Sequence, residues 1–191
     1  MRKGLAASFF RLASIAKKHK WPLIFGFFLL LFVTSLGVPI HGFIAIVILS
    51  VIAAFSTYYR KYVKLTVGFE TVTFATVLCT VAYGPMIGAL VGLVSCFAAE
   101  FIPQLIDPSS FLWILSYPVV ALVVYWLHGL GVPLFWLGMA GTAVQNIIAE
   151  PIRFLSGDEL LRTMGFLSVT GSIISNIILF NLLAGPVLSI M

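Results

Sequence analysis

The chain has 191 residues and a formal net charge of +5; 61% of its positions are hydrophobic and only 9% are charged. A soluble domain carries about a quarter charged residues and somewhat under half apolar ones. A chain of this length cannot bury such an excess in its own core. The composition therefore excludes a water-soluble enzyme, a nucleic-acid-binding domain and a disordered chain, and it predicts an integral membrane protein in contact with the lipid bilayer.

Residues 1–20 form a basic leader that holds six of the eleven lysines and arginines. Its apolar residues recur at helical spacing, and most of its cations fall on the opposite side. This pattern predicts an amphipathic helix lying in the membrane surface on the cytoplasmic side, with a disordered basic leader as the alternative.

Residues 21–191 are predicted to be a single transmembrane domain, an all-α bundle of seven helices. A hydrocarbon core of about 30 Å requires about 20 apolar residues per helix. Short turns rich in glycine, proline and aspartate connect the candidate segments. Six spans are the alternative, if one of the two short segments, 42–59 or 132–149, is re-entrant. The seven segments are 21–40, 42–59, 65–83, 85–103, 111–128, 132–149 and 165–191.

The distribution of positive charge predicts the orientation of these helices. With the N-terminus in the cytoplasm and seven crossings, every lysine and arginine lies in a cytoplasmic region and none lies in an external turn. Cytoplasmic loops are enriched in these residues. We therefore expect a multi-pass protein of the cell membrane with its N-terminus inside and its C-terminus outside.

Three glycines begin the fourth predicted helix at intervals of four residues: Gly84, Gly88 and Gly92. This spacing lets the backbone of another helix approach closely. It predicts helix packing within the chain, with a homodimer contact as the alternative.

Three acidic residues lie near predicted cytoplasmic helix ends: Glu70, Glu100 and Glu150. An ionisable group at membrane depth needs a partner or a wet cavity. These carboxylates are candidates for binding a cation, relaying protons or coupling to another subunit. The alternative is ordinary pairing with nearby cations such as Arg60, Lys64 and Arg153.

A second set of polar residues predicts a binding pocket. Four of them follow one face of the third helix, and two are amides in the sixth and seventh helices, where polar side chains usually face the bundle interior. The alternative is hydrogen bonding between helices without a ligand. The predicted pocket residues are Thr73, Thr76, Thr80, Tyr83, Asn146 and Asn176.

The sequence contains no motif of a catalytic triad, a nucleotide-binding loop or a metal site. Cys79 and Cys96 are expected at different depths, so a disulfide is not predicted. We therefore expect neither an enzyme nor a cofactor.

Residues 82–92 (Ala-Tyr-Gly-Pro-Met-Ile-Gly-Ala-Leu-Val-Gly) resemble the substrate-binding S components of energy-coupling-factor vitamin transporters. In that family a helix ends in a Gly-Pro turn and the next begins with Gly-Ala-x-x-Gly. The C-terminal residues Asn176, Asn181 and Gly185-Pro186 are also similar, and related small polytopic families share such features. The resemblance implies uptake of a small vitamin-like solute, with a coupling membrane subunit and cytoplasmic ATPases as partners.

Two features depart from this family. S components typically have six helices, and their Ala-x-x-x-Ala contact for the coupling subunit is missing from residues 21–40. Two other functions therefore stay open. One is a scaffold that recruits proteins through the basic leader and the loop 153–162. The other is a cation- or proton-coupled carrier that uses the three glutamates.

Overall fold

The computed structural model describes residues 38–63, 68–103 and 108–191. Every secondary-structure element in these ranges is a helix, which confirms the all-α class for the described part of the chain. Two compact units, Met1–Phe43 and Ile44–Met191, make up the chain. The predicted leader and nearly all of the first predicted span lie outside the described residues.

Three of the described helical segments are long and apolar enough to cross a membrane: Ile40–Val63, Ser110–Gly129 and Glu159–Leu182. The chain is therefore a membrane-type helical protein, while the number of seven spans stays a prediction. The helices of the described ranges are α1 (Ile40–Ser56), α2 (Arg60–Val63), α3 (Val72–Tyr83), α4 (Pro85–Phe101), α5 (Pro108–Gly129), α6 (Leu134–Ala149), α7 (Pro151–Leu155), α8 (Glu159–Leu182) and α9 (Ala184–Ser189).

The α3–α4 hairpin turns where the sequence predicts it. Tyr83 ends α3, Pro85 begins α4, and Gly84 between them has a φ of 90°. Glycine is favoured at positive φ because it has no Cβ, and proline suits the first turn of a helix because its missing N–H would be unpaired there.

Helix α3 is the centre of the second unit. Consecutive helices from α3 to α6 pack against each other, and α3 also contacts α5, α6 and α8. Every residue from Val72 to Thr80 is buried as a result. A polar side chain on any face of this part of α3 must therefore find its partner inside the protein.

The distribution of polar residues in α8 is the reverse of that in a soluble protein. Its isoleucines at positions 173, 174, 177 and 178 are exposed, whereas its polar side chains Ser168, Ser172, Ser175 and Asn176 are buried. An apolar exterior over a polar interior is favourable only where the surrounding solvent is lipid. The helix surface thus supports contact with a bilayer.

The last helical region differs in its bounds from the predicted segment 165–191. Helix α8 begins at Glu159 and ends at Leu182, and the short helix α9 follows it. The Asp158 carboxylate accepts a hydrogen bond of 2.8 Å from the Leu160 N–H and caps α8. Because capping depends on one polar side chain before the apolar run, hydropathy alone places this helix start too late.

Candidate functional site

The structure places the three predicted glutamates at one end of the second unit, which we call the carboxylate end. Glu70 precedes α3, Glu100 lies in the last turn of α4, and Glu150 directly follows α6. All three side chains are at most 2% exposed. Carboxylates buried this deeply require charged or hydrogen-bonding partners.

Glu100 forms a buried ion pair. Its Oε1 atom lies 2.5 Å from Nη1 of Arg60, and its Oε2 atom accepts a hydrogen bond of 2.5 Å from the Ser110 hydroxyl. Arg60 is itself only 5% exposed. Removing one member of such a pair leaves a buried charge without compensation.

Glu150 is held in a similar way by two other elements. Its Oε1 atom accepts a hydrogen bond of 2.7 Å from the Ser168 hydroxyl of α8 and lies 3.4 Å from Nη1 of Arg153. The Arg153 guanidinium also lies 5.5 Å from the centroid of the Trp113 ring. This cation–π contact connects the α6–α8 region to α5.

Glu70 differs from the other two because its described partners are neutral. Its carboxylate accepts hydrogen bonds from the backbone N–H groups of Val72 (2.7 Å) and Thr73 (3.1 Å). The hydroxyls of Thr73 (2.7 Å) and Tyr117 (3.3 Å) donate to it as well. An acidic group at this position satisfies the free N–H groups at the start of α3 and interacts favourably with the helix dipole.

One face of α5, which the sequence did not single out, contacts Glu100 and Glu70 directly and contacts Arg153, the ion-pair partner of Glu150. Ser110 binds Glu100, Trp113 contacts Arg153 beside Glu150, and Tyr117 binds Glu70. The spacing of three and then four residues places these side chains on one helix face. That spacing is the available signal, but Trp113 and Tyr117 lie inside the apolar segment 111–128 and Ser110 lies just before it, where hydropathy gives no reason to single them out.

Thr76 and Thr80 of α3 face helix α4. The hydroxyls of Thr76 and Thr80 donate to the carbonyl groups four residues earlier, at 2.8 and 2.7 Å. A Cβ atom on Gly88 would lie 1.9 Å from Oγ1 of Thr80, and one on Gly92 would lie 2.6 Å from Oγ1 of Thr76. The structure therefore places these two glycines in a contact within the chain, against the threonine face.

The two predicted amides do come together, on either side of Ser172. Nδ2 of Asn146 donates to the Ser172 hydroxyl at 2.9 Å, and Nδ2 of Asn176 donates to the Ser172 carbonyl at 2.9 Å. Asn146 is 8% exposed and Asn176 is fully buried. The Oδ1 atom of each amide has no hydrogen-bond partner among the described residues.

Gln145, next to Asn146 in α6, is a further buried amide that the predicted pocket did not include. It is 1% exposed, and neither its Oε1 nor its Nε2 atom has a partner in the described part of the chain. We call Gln145, Asn146 and Asn176 the amide cluster. The hydrocarbon interior of a membrane offers no water to such groups. Each unpaired atom therefore makes the free energy of folding less favourable unless a polar molecule binds beside it.

The remaining predicted pocket residues lie elsewhere. Thr73 binds Glu70 at the carboxylate end. The Tyr83 hydroxyl donates to the main-chain oxygen of Met191, near the Gly84 turn. The structure thus brings Asn146 and Asn176, two of the six predicted residues, to Ser172, and Gln145 is the chain neighbour of Asn146.

The three kinds of comparison with known proteins gave the same result. No protein-family model, no curated protein and no solved structure matches this chain. Its function must therefore be inferred from its own residues.

Proposed function

We propose that this protein is a membrane-embedded subunit that binds a small vitamin-like solute for uptake. The observation that carries the proposal is the amide cluster, whose buried polar atoms have no hydrogen-bond partner among the described residues. A buried polar group left without a partner costs about 1–3 kcal/mol. Such atoms on α6 and α8, which pack against each other, favour an interior that receives polar groups from a bound solute.

The position of the cluster supports a site between helices. Asn146 lies on α6 and Asn176 on α8, and both bind Ser172. Helix α6 also packs against α3 and α5. Binding sites in helix bundles are commonly built in this way, from side chains on facing helices.

The transport role rests on the resemblance of residues 82–92 to the S components described above. The sequence has no nucleotide-binding motif, so energy for uptake would come from partner ATPases through a coupling membrane subunit. Insertion in the cell membrane with a cytoplasmic N-terminus belongs to the same proposal.

The proposal predicts that the purified protein retains a small solute. Asn176→Leu keeps the approximate side-chain volume but removes the amide, so we expect at least a tenfold lower fraction of solute-bound protein. Native mass spectrometry after gentle solubilisation measures this fraction directly.

Asn181→Leu is the matched control. Asn181 lies on the same helix and donates to the carbonyl group four residues earlier, as Asn176 does, but it is exposed. Retention should therefore be unchanged in this variant. Wild-type protein that carries no solute but captures other proteins would contradict the proposal and favour the scaffold function.

A further inference from the structure

We infer that the solute bound by the amide cluster is an uncharged molecule that presents an amide group, such as a lactam, an imide or a carboxamide. The inference rests on the proposed function, because it names the class of solute for the same site. It follows from which polar atoms of each amide have a hydrogen-bond partner and which do not.

The orientation of Asn146 and Asn176 is set by carbonyl groups. Nδ2 of Asn146 donates to the Thr142 carbonyl at 2.9 Å, and Nδ2 of Asn176 donates to the Ser172 carbonyl at 2.9 Å. A carbonyl oxygen only accepts hydrogen bonds, so the nitrogen of each amide must face it. The unpartnered atom of both side chains is therefore an oxygen, and a solute bound beside it would have to present a hydrogen-bond donor.

Gln145 requires a hydrogen-bond acceptor from the solute as well as a donor. Both its Oε1 and its Nε2 atoms are unpartnered among the described residues, so it needs one donor and one acceptor. An amide group in the solute carries an N–H and a C=O side by side and can satisfy both. The Gln145 side chain is only 1% exposed, so bulk solvent does not reach it.

Two other classes of solute fit less well. A carboxylate only accepts hydrogen bonds, so it would leave the oxygens of Asn146 and Asn176 facing a negative charge without a donor. An ammonium group only donates, so it would leave Nε2 of Gln145 unpaired. Among the described residues, the buried arginines are Arg60 and Arg153, and each lies at the carboxylate end against a glutamate.

The test identifies the solute chemically. Full-length protein is incubated with a small-molecule extract of the cells that express it and then washed, and the retained compounds are identified by mass spectrometry. We expect a compound with an N–H/C=O group in the wild-type protein. We also expect at least tenfold lower retention in Gln145→Met, which removes both polar atoms, and no change in Asn181→Leu.

The outcomes separate this inference from the proposed function. A retained compound that has no amide group, or equal retention by Gln145→Met, overturns the inference and leaves the proposed function standing. No retained compound at all, from purification or from the extract, overturns both. The chemical identity of the compound retained by the wild-type protein tests the inference even if Gln145→Met fails to insert into the membrane.

Discussion

Single residues at the carboxylate end show how this protein keeps charge inside a lipid-facing fold. Arg60, Glu100 and Ser110 form one set of contacts, and Arg153, Glu150 and Ser168 form another. In each set a glutamate bridges an arginine and a serine hydroxyl. The charges are thus confined to short-range contacts, which reduces the desolvation penalty that an isolated charge would suffer.

The Arg60–Glu100 pair yields a prediction about stability. Arg60→Met leaves Glu100 buried without its cation and is expected to lower the free energy of unfolding by about 3–5 kcal/mol. The double variant Arg60→Met/Glu100→Leu removes both charges and should recover most of this loss. Reversible unfolding in mixed micelles, followed by tryptophan fluorescence, measures both. A double variant as unstable as Arg60→Met alone would show that side-chain packing, and not the charge, is responsible.

The sequence predicted that these acids need partners and offered Arg60 and Arg153 among the alternatives, but it did not predict their hydroxyl partners. Glu70, Glu100 and Glu150 are identifiable because an acid near membrane depth is unfavourable by itself. Several of their hydroxyl partners come from other helices, such as Ser168 for Glu150 and Tyr117 for Glu70. Which of two distant residues meet depends on how the helices pack, and hydropathy carries no information about that.

Among the elements, the α3–α4 hairpin was predicted most accurately. Gly84 and Pro85 set the turn by local backbone geometry, which is readable from neighbouring residues. Which neighbouring helix the threonine face contacts could not be predicted from adjacent residues. Thr76 and Thr80 contact the glycines of α4, because only glycine leaves room for a threonine hydroxyl at this helix separation.

This contact predicts the effect of adding a single methyl group. Gly88→Ala would place a Cβ atom 1.9 Å from Oγ1 of Thr80 and should destabilise the protein by about 1–3 kcal/mol, the usual range for overpacking. Gly129→Ala, at the end of α5, is the control because no atom lies within 4 Å of its added Cβ. Thermal melting in detergent compares the two. Equal melting temperatures would contradict the close approach of α3 and α4.

On the scale of the whole molecule, two features of the exterior support the assignment to a membrane. Exposed isoleucines cover α8, and exposed aromatic residues cluster near the turn between α5 and α6, where Tyr125, Trp126 and Trp136 lie. Tyr62, also exposed, lies two residues after Arg60 at the opposite, carboxylate end. Tyrosine and tryptophan are enriched at the two membrane–water interfaces.

The predicted seven-span topology can be tested by labelling. Helix α8 has 24 residues, so it is about 36 Å long, enough to separate its two ends by a bilayer. A membrane-impermeant thiol reagent added to intact cells should label Ser189→Cys and should label Gly157→Cys only after the cells are opened. The native Cys79 and Cys96 are buried and should give little background. Labelling of both engineered cysteines from the same side would contradict the arrangement.

Helix α5 also contains a proline, Pro118, directly after Tyr117. Proline removes a hydrogen bond within a helix and weakens it locally, so bending of α5 should concentrate at this point. The part of α5 before Pro118 carries Ser110, Trp113 and Tyr117. Bending at Pro118 would therefore move these three side chains together. A single hinge movement would then weaken the contacts of α5 with Glu70, Glu100 and Arg153 at once, and none of the three glutamate groups would respond in isolation.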